Sequence, residues 1–447
     1  MPLPIVAIVG RPNVGKSTLF NRLIKRQQAI VDNMPGVTRD RLYRPSSWAG
    51  VDFMLVDTGG LWVGDADSLA TKVTEQARIA IEQADVVVFL LDSQVGPQDA
   101  DIRIAKELKR SGKNVIITPN KVDQLRDEFS ASEFYSLGFE QIFPVSAANG
   151  RNIGELLDAI VQNLPKGAID EFQVSGDLDP SGEEDIKVAI VGRPNVGKSS
   201  LVNAMTGRNI TIVAPLAGTT RDAIDTRFEL NGKKYLLIDT AGLKKKNIYK
   251  DDLEFYTKLR TLRAISRADI AVVVIDSLDG LVVGDLRIAN EAASLYKSVI
   301  FAVNKWDAYA EKEADTVDKL SKAIVEKAPS LKFVPIIFIS ALTGLRVQKV
   351  WEMIYQVSLE RKKRIPTAEL NAFFKGLTEK FPPPAKAGRL IKILYVTQAE
   401  GDPPTFIIFT NHPKYIEIPY QRFLENRIRE AYGFSGTPIK FVFKGRK

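Results

Sequence analysis

The chain has 447 residues, 45% of them hydrophobic and 26% charged, with one histidine, no cysteine and a formal net charge of +8. That length predicts about three domains, and the composition is that of a globular protein rather than a disordered or fibrous one. The absence of cysteine excludes disulfide frameworks, thiolate zinc sites and cysteine nucleophiles, and the lone His412 excludes a histidine-rich metal site. Chemistry must therefore come from backbone amides, Lys, Arg, Ser, Thr, Asn, Asp and bound ions. No run approaches the ~20 apolar residues that span a bilayer, so no membrane partner is expected. The opening MPLPIVAIVG has no basic region ahead of its apolar run and reads as a first strand, which makes the cytoplasm the expected address.

In chain order, PIVAIVG, FMLVDT, VVVFLLD, NVIITPN and IFPVSA read as strands separated by longer amphipathic stretches. This alternation predicts an α/β domain, doubly wound on a mainly parallel sheet, over residues 1–165. Residues 166–185 mix Gly, Pro, Ser and acids without a hydrophobic period and read as an exposed linker. The first series then recurs over 186–357. GRPNVGKST at 10 returns as GRPNVGKSS at 192, GVTRD at 36 as GTTRD at 218, and DTGGL at 57 as DTAGL at 239, all offset by 182. NKVD at 120 returns as NKWD at 304, and SAANG at 146 as SALTG at 340. Conserved order with slowly growing offsets means two tandem copies. The extra ten residues fall around EKEADTVDKLSKAIVEKAPS and predict a longer helix with its loop. Residues 358–447 change character. TAELNAFFKGLTEKF reads as a helix, LIKILYVTQ and TFIIFTN as strands, PYQRFLENRIREAYG as a helix and PIKFVFK as a last strand, an α+β module. Strand alternation makes the aromatic residues of those two strands core positions rather than base-stacking ones. Charge is uneven: −2 over 1–165, −6 over the linker, then +7 and +9, so the C-terminal half carries +16. That favours a nucleic-acid partner without naming one.

A GxxxxGK[ST] motif between a strand and a helix is a phosphate-binding loop, because its glycines let consecutive N–H groups wrap a polyphosphate at a helix N-terminus. The first copy consists of Gly10, Arg11, Pro12, Asn13, Val14, Gly15, Lys16, Ser17 and Thr18. The second consists of Gly192, Arg193, Pro194, Asn195, Val196, Gly197, Lys198, Ser199 and Ser200. Lys16 and Lys198 are placed to reach the β and γ phosphates, and Ser17 and Ser199 to ligate Mg²⁺. Asp57 and Asp239 end apolar strands, where a carboxylate can hold the metal shell. They open the turns Thr58-Gly59-Gly60-Leu61 and Thr240-Ala241-Gly242-Leu243, in which Gly60 and Gly242 leave a bare N–H for the γ-phosphate. NKxD selects the base: Asp123 and Asp307 can accept both guanine N1–H and N2–H₂, an arrangement adenine cannot match. Asn120 and Asn304 can bond the purine edge, the stems of Lys121 and Lys305 can cover the ring, and Ser146-Ala147 and Ser340-Ala341 can offer an N–H to guanine O6. The ligand expected is therefore GTP or GDP.

The duplicated GRPNVGKS…TRD…DTxGL…NKxD…SA series, followed by a short α+β module, resembles the Der/EngA family of tandem GTPases over essentially the whole chain. The resemblance implies a KH-like C-terminal domain, GTP hydrolysis with Mg²⁺, and a role in assembly of the large ribosomal subunit and its RNA, with no DNA partner expected. It also implies that Thr38 and Thr220 are switch threonines touching Mg²⁺ and γ-phosphate. Where a water-orienting glutamine could follow the DxxG glycine, this chain has Leu61 and Leu243, which can neither orient nor polarise a water. Related GTPases use a monovalent cation, K⁺, held by the P-loop asparagine, the place of Asn13 and Asn195; the plainer alternative is that these asparagines only shape the turn. Arg39, Arg41 and Arg221 lie beside the switch, as solvated charges or arginine fingers, and Lys244, Lys245 and Lys246 follow the second DTAGL, as a solvated face or a nucleotide-gated RNA contact. The C-terminal module has its GxxG at Gly433 to Gly436, between a helix and a strand, whereas an RNA-gripping KH module needs it between two helices. Alternatives to a switch are a P-loop enzyme driving an RNA-modifying or metabolic reaction, and a nucleotide-gated scaffold with one weakly hydrolysing domain.

Overall fold

A computed structural model describes residues 4–25, 43–58, 80–124, 133–139, 141–165, 185–207, 211–217, 224–239, 252–309, 313, 315–386 and 388–445. Packing divides the chain into two units. One carries a five-stranded sheet, the other a seven-stranded and a three-stranded sheet.

In the first unit, β1 (Ile5–Val9), β2 (Tyr43–Trp48), β3 (Val51–Asp57), β4 (Val86–Asp92) and β5 (Asn114–Asn120) take the order β2-β3-β1-β4-β5, with only β2 antiparallel to its neighbour. Helices α1 (Lys16–Lys25), α2 (Asp99–Ser111) and α3 (Ile153–Asn163) return the chain between or after strands. Every residue of β1 and β4 is buried, as a central parallel strand covered on both faces requires.

The second series repeats this plan with β6 (Ile186–Val191), α4 (Lys198–Thr206), β7 (Thr211–Ala217), β8 (Ile224–Leu230), β9 (Lys233–Ile238), α5 (Asp252–Arg267), β10 (Ile270–Asp276), α6 (Val283–Ser294), β11 (Ser298–Asn304), α7 (Thr316–Lys327), β12 (Ile336–Phe338) and α8 (Val347–Lys362). The sheet order is β12-β11-β10-β6-β9-β8-β7, parallel from β12 to β9 and antiparallel beyond. Alternate residues of β10 feed two cores: Val272 and Val274 pack with Trp351, and Val273 and Ile275 with Trp306. That is the doubly wound arrangement expected. In this copy α7 lies between NKWD and SALTG, where the extra ten residues fall; among the described residues the corresponding stretch of the first copy holds a short 3₁₀ segment at 133–137.

One expected strand is missing from the first copy. IFPVSA runs beside β5, with Phe143 donating to Ile117 and Val145 to Pro119, yet it forms only an isolated bridge at Ile142. Pro119 has no N–H to continue the ladder. The repeat puts Val303 there in the second copy, and β12 forms beside it.

The C-terminal sheet has the order β13 (Ile393–Gln398), β14 (Thr405–Thr410), β15 (Lys440–Gly445), with α9 (Thr367–Lys380) and α10 (Ile418–Tyr432) completing the expected α-β-β-α-β series. Phe406, Ile408, Leu370 and Leu424 form its core. Tyr395 departs from the expected inward packing: it is 37% exposed, beside Phe409 at 6.0 Å. The module joins the seven-stranded sheet through its GxxG loop. Val299 N–H donates to the Gly436 carbonyl and Gly436 N–H to Phe333, both at 2.7 Å, while Ser298 and Thr437 share a buried hydroxyl bond.

Candidate functional site

In each copy the chain leaves a buried strand, turns through the glycine loop and enters a helix at the lysine. An added Cβ at Gly10 or at Gly15 would collide with the Leu90 carbonyl or the Asn120 amide, and Gly15 has φ +97°, so both positions need glycine. Gly192 and Gly197 meet Val274 and Asn304 in the same way. Val14 and Val196 are buried and tie the loop to the core, while Pro12, Asn13, Ser17 and Thr18 are exposed, as are Pro194, Asn195 and Ser200. Asn13 and Asn195 have φ +64° and +65°, a left-handed turn that asparagine tolerates.

Lys16 is 5% exposed, and its Nζ donates to the carbonyls of Gly10 at 2.8 Å and Arg11 at 2.7 Å. Lys198 Nζ donates to the Arg193 carbonyl at 2.6 Å. Burial lowers both amines to about 8; the Asp57 carboxylate pulls Lys16 back up and the Arg11 guanidinium pushes it down, and Asp285 raises Lys198.

Parallel register sets Asp57, 1% exposed, beside Ile8 near the start of the loop. Thr58 Oγ1 donates to the Ile8 carbonyl at 2.7 Å, so this threonine ties β3 to β1. Asp239 takes φ +59° with its N–H donated to Asp225 Oδ1 at 3.0 Å. The hydroxyls of Ser17 and Ser199 and the carboxylates of Asp57 and Asp239 are hard oxygen donors, a set that suits Mg²⁺ shared with nucleotide phosphates. Thr38, Gly59, Gly60, Leu61, Thr220, Thr240, Ala241, Gly242 and Leu243 lie outside the described residues, as do the switch arginines, the linker up to 184 and the lysine run 244–246.

The base end is braced by the asparagines. Asn120 Nδ2 donates to the Val14 carbonyl at 2.8 Å and its Oδ1 accepts Ala147 N–H at 2.9 Å. Asn304 repeats this with Val196 and Ala341, both at 2.9 Å. The side chain expected at the purine edge thus joins the phosphate loop to the SA turn, with one N–H remaining for a base. Ser146 and Ser340 donate their N–H groups to Arg151 and Leu345. Both amides of each SA pair thus make hydrogen bonds inside the protein, which fixes the turn beside the asparagine. Asp123 is exposed and accepts from Ser146 Oγ at 2.6 Å and Asn149 Nδ2 at 3.0 Å; Asp307 is exposed too.

Lys121 and Lys305, each in a left-handed turn, pair with Asp92 and Asp276 at 2.6 Å. Burial raises the Asp276 carboxyl, but the Lys305 and Leu278 hydrogen bonds and the Lys305 and Arg193 charges hold it below its ordinary value. Sequence reasoning missed these two acids, although LLDS and VIDS recur in register at the ends of apolar strands.

In the C-terminal module, Gly436 fits against Val357 and Val299 so closely that an added Cβ would lie 2.8 Å from a Val357 methyl, and Phe434 N–H donates to Glu360 at 2.6 Å. The GxxG loop is a packing element. His412 lies in a turn with its ring edge on Tyr415.

Family models match more than half of the chain. One described as a 50S ribosome-binding GTPase covers residues 5–121 and 187–305, and one described as the KH-domain-like C-terminal part of EngA bacterial GTPase enzymes covers 364–444. The GTPase Der of Desulforamulus reducens is 46% identical over 447 residues, covering 100% of this chain and 99% of its own. That of Geobacillus kaustophilus is 44% identical and covers 100% of both chains. Among solved structures, a variant of Aquifex aeolicus Era bound to GDP and AlF₄⁻ is 24% identical over 58% of this chain and 88% of its own, with a TM-score of 0.31.

Proposed function

The chain belongs to the Der/EngA family of tandem GTPases and is a GTP-hydrolysing enzyme, and from that premise we propose that it is a nucleotide switch in the assembly of the large ribosomal subunit. The observation that carries this reading is likeness along the full length: the 50S ribosome-binding model matches both P-loop copies, and Der proteins match the entire chain. The +16 charge of residues 186–447 supports an RNA-bearing partner.

The domains are 1–165, 186–357 and 358–447, the first two joined by the acidic linker 166–185. Each P-loop binds the phosphates, and Asp123 and Asp307 read guanine. Ser17, Asp57 and Thr38, or Ser199, Asp239 and Thr220, would hold Mg²⁺, which when bound would supply positive charge against the nucleotide phosphates. Leucine at 61 and 243 leaves water orientation and transition-state charge to other groups. The exposed carboxamides of Asn13 and Asn195 suit a K⁺ ion beside the phosphates. Replacing K⁺ by Na⁺ at constant ionic strength should slow turnover ~10²–10³-fold while GTP affinity changes little; equal rates would remove the cation from this reading.

Co-sedimentation with large ribosomal subunits tests the partner. Binding should be strongest with a non-hydrolysable GTP analogue and weakest with GDP. Indifference to nucleotide removes the switch, and no binding at low salt with both sites filled removes the ribosome.

A further inference from the structure

Each P-loop begins with an arginine held from the first turn of a helix. Arg11 Nε donates to Asp101 Oδ2 at 3.2 Å, and Arg193 Nε to Asp285 Oδ1 at 3.0 Å. Both carboxylates are 0% exposed, and each also accepts a backbone N–H of its own helix start, from Gln98 or Val282. Burial pushes both carboxyls above their ordinary value, opposed by the arginines and those backbone bonds. Acids this deep need a partner. The same arginines hold the phosphate-binding lysines, because their carbonyls accept Lys16 Nζ at 2.7 Å and Lys198 Nζ at 2.6 Å. A continuous line therefore runs from helix to carboxylate, arginine, carbonyl and lysine.

The two lines are unequal. Arg193 Nη2 donates to a second carboxylate, Asp279, at 2.8 Å, and its stem lies so close to Gly284 that an added Cβ would be 2.9 Å from Cδ. The repeat places Val95 and Ala100 at those positions in the first copy. There Arg11 Nη2 and Asp101 Oδ1 are buried without hydrogen-bond partners among the described residues.

We infer that Asp101, Asp285 and Asp279 are positioning residues for nucleotide binding, and that the second carboxylate on Arg193 makes the second P-loop the more firmly held of the two. The inference rests on reading both loops as nucleotide sites.

Release of fluorescent GDP from the full-length chain tests it, one site at a time, in Asp123→Asn and Asp307→Asn backgrounds. The parent should bind two nucleotides per chain and each background one. Asp279→Val should speed release from the second site about two- to fivefold, the scale of a half-exposed ion pair, and Val95→Asp should slow release from the first by a similar factor. Neither should move the melting temperature of the nucleotide-free chain. Arg193→Lys keeps the charge but loses the two-pronged fork, so it should release like Asp279→Val, while Asp279→Glu should restore the parent rate. Unchanged release in Asp279→Val and Val95→Asp, with the parent binding at both sites, overturns the inference. So does a change seen only with lowered melting temperature, which marks a purely structural role. A parent that binds no nucleotide overturns the underlying reading and the inference with it.

Discussion

Lys16 and Lys198 sit where burial opposes their own charge, each lowered from 10.5 to about 8. Between those values the unfolded chain holds more protons than the folded one, so nucleotide-free stability should rise with pH through that window. Nucleotide binding has the opposite sign. A polyphosphate favours the charged amine, so binding above about 8 must take up protons, and affinity should fall toward tenfold per pH unit at each site. Calorimetry at about pH 8.5 in buffers of different ionisation heat would measure this uptake; a heat independent of buffer would show that the amines are already charged in the free protein. The lysines themselves were legible from the motif. Their arginine anchors were not, because Asp101 and Asp285 stand ninety-odd residues further along and meet the loop only after β4 and β10 have paired with β1 and β6. The same limit hid the part played by Asn120: a motif names a residue, but not which of its polar ends the fold takes.

At the level of elements, continuous apolar runs placed the buried strands well because parallel strands covered on both faces have no polar side to interrupt the run. They failed at IFPVSA, where the apolar run is present but its partner strand offers Pro119 in place of an N–H donor. The GxxG segment shows the complementary difficulty. Its glycines look like a nucleic-acid loop, and only tertiary packing shows Gly436, at φ +70°, wedged against Val357 and the Val299 carbonyl. Gly436→Ala must shift that contact and strain the backbone, and should destabilise the second GTPase copy and C-terminal module by ~1–3 kcal/mol. Thermal melting of the full chain checks this: an undisturbed transition would mean that the loop does not bear on the packing.

Across the whole molecule, charge and nucleotide state must act together if the chain is a switch on a ribosomal partner. Residues 1–185 carry −8 and residues 186–447 carry +16. A polyanion should therefore be engaged mainly through the second half, by contacts to the RNA backbone rather than to particular bases. Such binding releases counterions, so its logarithm should fall linearly with the logarithm of salt concentration, by ~0.7–0.9 for each phosphate neutralised. Lys244, Lys245 and Lys246 directly follow the second DTAGL, where a segment's conformation should depend on γ-phosphate. Replacing all three with alanine should lower the salt slope of large-subunit binding by up to ~2–3 when a GTP analogue is bound, and by less with GDP. The comparison separates three physical situations that a single affinity cannot. An unchanged slope in both nucleotide states means a solvated face, and equal loss in both means a fixed phosphate contact. Only a loss confined to the analogue-bound state makes this run the gated part of the interface.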